Sequence, residues 1–326
     1  MIRFGVIMYL FCILMSFCNS ASSEDFTALV PDDFFKLISP DARIEKVAGG
    51  FNFTEGPVWS KENFLVFSDI PANIIRKVDT NGTISVVKND SGHSNGLTFD
   101  LEGRLIACEH GNRRVTRVEK DSTITVLAEK YNGKRLNSPN DVVVRSDGSI
   151  YFTDPPYGVR TEDRELNFQG IYRIEANGKI KLLIKDMKCP NGLAFSPDEK
   201  ILYVADSSER LHVKAFDVNL DGTLKNGRIF ANLKTGVEGP PDGMKVDKSG
   251  NLWCTGPGGV WVFNQNGIHL GTIKFPQITA NCAWGDEDGK TLYAASTTAI
   301  YRITTNIKGI RPWMDVKSES DAKSVE

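Results

Sequence analysis

Asn191-Gly192-Leu193-Ala194-Phe195 is one of six versions of a single phrase. The others are Glu55-Gly56-Pro57-Val58-Trp59, Asn95-Gly96-Leu97-Thr98-Phe99, Asn140-Asp141-Val142-Val143-Val144, Asp242-Gly243-Met244-Lys245-Val246 and Asn281-Cys282-Ala283-Trp284-Gly285. Their first residues lie 40, 45, 51, 51 and 39 positions apart. Each phrase begins with a carboxylate or carboxamide, and all but the last pass through Gly or Asp into an apolar stretch. A repeat of this length built only from strands marks a β-propeller blade.

Each repeat is punctuated alike. A turn follows the opening phrase, as in Asp100-Leu101-Glu102-Gly103, Ser146-Asp147-Gly148 and Asp247-Lys248-Ser249-Gly250. Asp, Ser and Gly clusters of this kind favour hairpin turns. A second apolar strand comes next, at 64–68, 105–108, 150–153, 201–205, 252–255 and 291–296. A third alternates in character, as in Ile171-Tyr172-Arg173-Ile174, and an outer fourth reads like Ile84-Ser85-Val86-Val87. Alternation follows because successive side chains face opposite sides of a sheet. The sixth repeat runs out of chain before a fourth strand, whereas Ile44-Glu45-Lys46-Val47-Ala48 stands orphaned before the first. The reading is an all-β, six-bladed β-propeller whose ring is closed by this N-terminal strand completing the last blade. Closure of that kind removes exposed sheet edges.

The topology says which residues share a mouth. The phrase opens the inner strand at one face, and the second strand returns to that face. The returning positions are Asp69, His110, Asp154, Asp206, Gly256 and Thr297, 14 to 16 residues after their openers. One rim should therefore gather Glu55, Asp242, several Asn, three further Asp and a His. Singly, such residues are most often turn formers bonded to their own backbone. Glu55, Asn191 and Asp242, at equivalent openings of three blades, favour a metal site instead. Oxygen donors of this kind suit Ca²⁺ first, then Mg²⁺ or Mn²⁺. Zn²⁺ fits less naturally, since the chain has four His and no HExxH pair.

Bulk composition sets the remaining bounds. The chain has 326 residues and a formal charge of −2. No basic run or aromatic-interleaved stripe suggests nucleic acid. Arg3, the apolar run 4–17 and the small residues Ser20, Ala21, Ser22 and Ser23 have the order of a cleaved secretory signal. The run is short for a span of ~20 residues, so no stable membrane span is expected after cleavage. Lipidation at Cys18 and an uncleaved anchor are the alternatives. The expected organisation is a signal at 1–22, an extension at 23–43 with a short helix near 32–37, the propeller at 44–313 and a polar tail at 314–326. Export to the periplasm or the medium follows. Cys108, Cys189, Cys254 and Cys282 lie in different repeats without tight spacing, which favours buried free thiols over disulfides.

Five phrases carry a family resemblance. Thr54-Glu55-Gly56-Pro57-Val58-Trp59, Ser138-Pro139-Asn140-Asp141, Phe152-Thr153-Asp154-Pro155-Pro156-Tyr157-Gly158, Pro190-Asn191-Gly192-Leu193-Ala194-Phe195-Ser196 and Pro241-Asp242-Gly243 resemble the SMP-30/gluconolactonase family over roughly residues 44–303. The resemblance implies a divalent-metal-dependent lactonase, with metal ligands at Glu55, Asn191 and Asp242 and a substrate-orienting Asn140. It implies that the metal polarises the lactone carbonyl and that Asp242 doubles as general base. Asp154 and Asp206 are further candidates for substrate hydroxyls or for holding the metal's ligands from behind. His110 is a candidate substrate contact, with Arg113 and Arg114 just beyond it. Animal members carry Arg where this chain has Ser138, so substrate choice does not transfer from them.

Two rivals accompany that reading. The same site could act on another lactone or ester, or the chain could be a binding propeller with a structural metal, since the fold hosts many functions. Gly92-His93-Ser94-Asn95-Gly96 matches the G-x-S-x-G pattern. That motif works at a strand-to-helix elbow, and here a strand is expected to follow.

Overall fold

The computed structural model describes residues 25–312. The expected leader at 1–22 and the whole of the expected tail at 314–326 lie outside them. Six sheets form the blades. The inner strands are Thr54–Trp59, Ser94–Phe99, Val142–Val144, Pro190–Phe195, Met244–Val246 and Thr279–Gly285. All are antiparallel to their second strands, and each of the six openers stands within two residues of its strand's start.

The orphan segment does close the ring. Glu45–Gly49 pairs antiparallel with Ala299–Thr304, so the last blade takes its outer strand from the start of the chain. The extension adds a second tie. Phe26–Ala28 pairs with His269–Ile273 as a fifth strand on the fifth blade. Helix Pro31–Leu37 follows, with Pro in its first turn and Asp32 and Asp33 at its positive end. It drives Phe34, fully buried, against Phe26 and into the core of the last two blades.

Most of the inner and second strands are buried along nearly their whole length, because each blade is covered on both faces by its neighbours. Large aromatics fill those seams. Trp59 of the first blade stacks on Tyr293 of the sixth, and Trp253 of the fifth meets Trp284 of the sixth edge-on. Hydroxyls finish the inner seam. Ser68, Thr153 and Thr255 donate to the carbonyls of Asn95, Asn191 and Ala280 in the next blade, at 2.8, 2.8 and 2.9 Å. The openers pack closely enough to demand glycine. Gly56 has φ +55°, and a Cβ there would lie 2.1 Å from the Asn95 carbonyl oxygen.

A second device recurs at the returning strand ends. Asp69 accepts from the backbone N–H groups of Asn52 and Phe53, Asp154 from those of Asn137 and Ser138, and Asp206 from those of Lys188 and Cys189. Each carboxylate pins the loop that leads into its own blade's inner strand. Among the described residues no helix is long and apolar enough to cross a membrane.

Candidate active site

The openers meet on the ring axis at one face. Glu55 is almost fully buried. Its Oε2 accepts from the Asn281 Nδ2 at 2.9 Å and from the Gly56 N–H at 2.5 Å. Burial and the charge of Asp141 push its carboxyl up to about 7. Asp242 keeps part of its surface open to the mouth. Burial and the charges of Glu55 and Asp141 raise it well above the ordinary carboxylate range, against a hydrogen bond from Asn191. Asn191 donates through Nδ2 to Ser207 Oγ at 2.9 Å and to Tyr157 Oη at 3.4 Å. Its Oδ1 is then the atom available to a cation. Asn140 is fixed by its backbone, donating to Thr153 O and accepting from Gly96 N–H. Its side-chain amide makes no hydrogen bond among the described residues.

Beneath this ring the shaft holds residues that the sequence reading did not single out. Asp141 is buried, and its Oδ2 has no hydrogen-bond partner. Burial raises its carboxyl, while Lys245 works in the opposite direction. Lys245 Nζ donates to Met244 O at 3.0 Å and Asn281 Oδ1 at 3.4 Å. Asn281 thus ties the ammonium to Glu55. Both residues carried a signal: Asp141 stands where four of the other five openers have glycine, and Lys245 breaks an apolar inner strand. Tyr157, from the Pro155-Pro156 loop, leans to Asn191. The far end of the shaft is different, a cavity of about 310 Å³ walled by Val58, Leu97, Val142, Ala194 and Ala283.

Two expected substrate contacts are corrected, and a third is relocated. Asp154 and Asp206 are fully buried, with their oxygens spent on the loop pins described above. His110 is not the equivalent of those aspartates. Ser94 pairs with Glu109, as Thr54 pairs with Asp69, so Glu109 fills that position. Glu109 is held by Arg114, Asn112 and Thr116. His110 sits one loop further out, beside Gly158. Ser94 lies in a strand, fully buried, with its Oγ 2.9 Å from Ser68 Oγ, so the G-x-S-x-G match is not an elbow. Cys108, Cys254 and Cys282 are buried free thiols, whereas Cys189 is half-buried beside Tyr157.

The donor set fits a hard cation. It contains the carboxylates of Glu55 and Asp242, the second raised by the charge of the first, an amide oxygen and an orphaned buried carboxylate oxygen behind them. Crowded negative charge with so little compensation is stabilised by a bound cation or by protons. Among the described residues, no three His, Cys, Asp or Glu side chains form a metal cluster by themselves, and an asparagine completes this set.

Residues 53–298 match the model of the SMP-30/gluconolactonase/LRE-like region, and the chain belongs to that family. It is 35% identical over 300 residues to the gluconolactonase of Zymomonas mobilis, covering 84% of each chain. It is 28% identical to human regucalcin over 282 residues, covering 79% of this chain and 93% of that one. The solved structure of a Xanthomonas campestris gluconolactonase superposes with a TM-score of 0.78 at 35% identity, covering 84% of this chain and 92% of that one.

Proposed function

We propose that this protein hydrolyses a sugar lactone of the gluconolactone type, with a divalent cation held by Glu55, Asn191 and Asp242. The observation that carries the reading is the crowding of three acidic side chains, Glu55, Asp141 and Asp242, at one end of a gluconolactonase-family propeller, where the charge of Asp141 raises both of the others. Ca²⁺ suits oxygen donors on a rigid ring, and Mg²⁺ and Mn²⁺ are the alternatives. When bound, the cation supplies positive charge that polarises a lactone carbonyl and acidifies water.

The chain's own groups do the rest. The free amide of Asn140 hydrogen-bonds the substrate and holds the ring ester over the mouth. Asp242, the carboxylate open to the mouth, takes the proton of the attacking water. Asn281 fixes the Glu55 carboxylate, so that the donor set is in place before substrate arrives. Tyr157 and the blade loops narrow the approach. We also propose export, carried by the leader-like order of residues 1–22, and N-terminal sequencing of the protein from its host tests it.

The test is lactone hydrolysis by metal-stripped protein, restored separately with Ca²⁺, Mg²⁺, Mn²⁺ or Zn²⁺, across sugar and aliphatic lactones. Metal-restored turnover of aldonolactones supports the reading. Tight metal binding without turnover of any lactone overturns it in favour of a binding propeller.

A further inference from the structure

A second, polar pocket of about 410 Å³ opens between the loops of the second and third blades. Its volume lies in the range of small-molecule sites. His110, Arg113, Arg135, Asp163 and Glu165 line it, with the backbone of Gly111 and Gly158 between them. It adjoins the mouth. Ser138, two residues before Asn140, reaches the His110 carbonyl with its Oγ at 3.5 Å. Gly158 follows Tyr157, whose hydroxyl meets Asn191.

The pocket is built rather than incidental. Arg113 is nine-tenths buried and holds the left-handed φ of +61°, unusual for a bulky residue. It donates through Nε to Leu136 O at 2.7 Å and through Nη1 to Asp163 O at 3.2 Å, so it ties two rim loops together. Its Nη2 is buried without a partner. His110 Nδ1 is buried without a partner as well. Gly158 is pressed against the imidazole, and a Cβ there would lie 2.8 Å from His110 Nε2. Glu165 accepts from the Arg135 N–H at 2.7 Å, which secures the far wall.

The lining says what fits. Arg113 and Arg135 share the lining with Glu165 and with Asp163, whose carboxylate also pairs with Arg160 at 2.7 Å, so the pocket carries both signs of charge and is dense in donors and acceptors. A simple anion would meet Asp163 and Glu165, and an apolar group would strand the unpaired donors. A ring of hydroxyls, each both donor and acceptor, suits such a lining. We propose that this pocket is a subsite for a second sugar unit, and that the preferred substrate is a disaccharide-derived aldonolactone whose lactone ring lies at the mouth. The inference rests on the lactonase reading for its chemistry, but the pocket's binding can be measured without turnover.

The experiment compares kcat/KM for cellobiono-1,5-lactone and glucono-1,5-lactone in the metal-loaded full chain and in Arg135→Ala. Calorimetric binding of cellobionate is measured on both. Arg135 is exposed, and its guanidinium makes one long contact to Asn112 O, so this variant should fold, and thermal melting verifies it. The expected result is at least about a tenfold preference for the disaccharide lactone, the scale of one or two added hydrogen bonds. Arg135→Ala should bring that ratio near one and weaken cellobionate binding. Equal kcat/KM for the two lactones in the wild type overturns the subsite, as does a preference unchanged in folded Arg135→Ala. Cellobionate binding that is sensitive to Arg135→Ala, with no lactone turned over, keeps the subsite and removes the lactonase reading instead.

Discussion

Asn281 of the last blade donates to Glu55 of the first across 2.9 Å, joining residues 226 positions apart. The same amide accepts from Lys245 of the fifth blade. Its two ends therefore set the position of one proposed metal ligand and its distance from the nearest ammonium.

Replacing Asn281 tests that link. Asn281→Ala leaves Glu55 with one backbone N–H donor and freer rotation. Divalent-cation affinity should fall by about tenfold, the scale of one lost charge-assisted hydrogen bond. Isothermal titration of metal-free protein checks it, and unchanged affinity would show that Glu55 is placed without Asn281.

Asp242→Asn removes both a ligand charge and the proposed base. Lactone turnover should drop by at least about a hundredfold, within the contribution of positioned general bases. The far-ultraviolet spectrum should stay that of the wild type, because Asp242 makes no loop pin of the kind seen at Asp69. Full activity in a folded variant removes the mechanism.

Lys245→Met subtracts one positive charge from a shaft containing Glu55, Asp141 and Asp242. Ca²⁺ should bind more tightly, by about an order of magnitude if the separation is several ångströms in a medium of intermediate dielectric. Tb³⁺ should gain more than Ca²⁺, since the Coulomb change scales with ionic charge. Terbium luminescence gives the comparison, and an unchanged Tb³⁺ to Ca²⁺ ratio counts against the charge argument.

Asp206 should govern acid stability rather than turnover. Burial opposes its charge, but hydrogen bonds from Ser208 and the Lys188 N–H outweigh it and hold the carboxyl below its ordinary value. A depressed folded pKa gives stability that is present above the unfolded value, near 4, and lost as pH falls through the folded one. Asp206→Asn should cost about 1–3 kcal/mol at neutral pH. Its melting temperature should then change less than the wild type's below pH 4. Parallel acid limbs in the two melting profiles would contradict this.

Truncation separates the two N-terminal ties. Removing residues 1–43 discards Phe26 and Phe34 but spares Glu45–Gly49. The ring should stay closed with lower stability, by about 3–5 kcal/mol for the loss of one buried Phe alone. Removing residues 1–50 also takes the closing strand, and the protein should aggregate through the bared edge of Ala299–Thr304. Size-exclusion chromatography distinguishes the outcomes.

The fold was legible because the openers repeat. Six chemically similar starts at near-constant spacing leave little choice of architecture, and the orphan at 44–48 matched the one missing strand. The placement of the openers was legible because a residue's place in the repeat decides where its backbone lies, and Glu55, Asn140, Asn191 and Asp242 all stand within two residues of an inner strand's start. It was misread at the returning strand ends. There Asp154 and Asp206 occupy mouth-side positions by count, yet they turn inward to the nearest unpaired N–H groups. Counting along a strand locates a backbone, but it does not say which donors a carboxylate will find. The error at His110 had a different origin. A single shift of pairing register put Glu109 in the position that the count gave to its neighbour. Lys245 and Asp141 were missed because each shows its purpose only beside residues from other blades.

The last blade borrows its outer strand from the first residues of the propeller, and the Glu55–Asn281 bond spans the same junction. This junction can therefore form only once the last blade has been made. Until synthesis has passed Asn281, Glu55 has no amide to meet, and until it has passed Ala299–Thr304, the strand Glu45–Gly49 has no partner. A chain interrupted before Asn281 lacks the Glu55–Asn281 bond, and one interrupted before Ala299 leaves Glu45–Gly49 unpaired, so ring closure waits for the last blade.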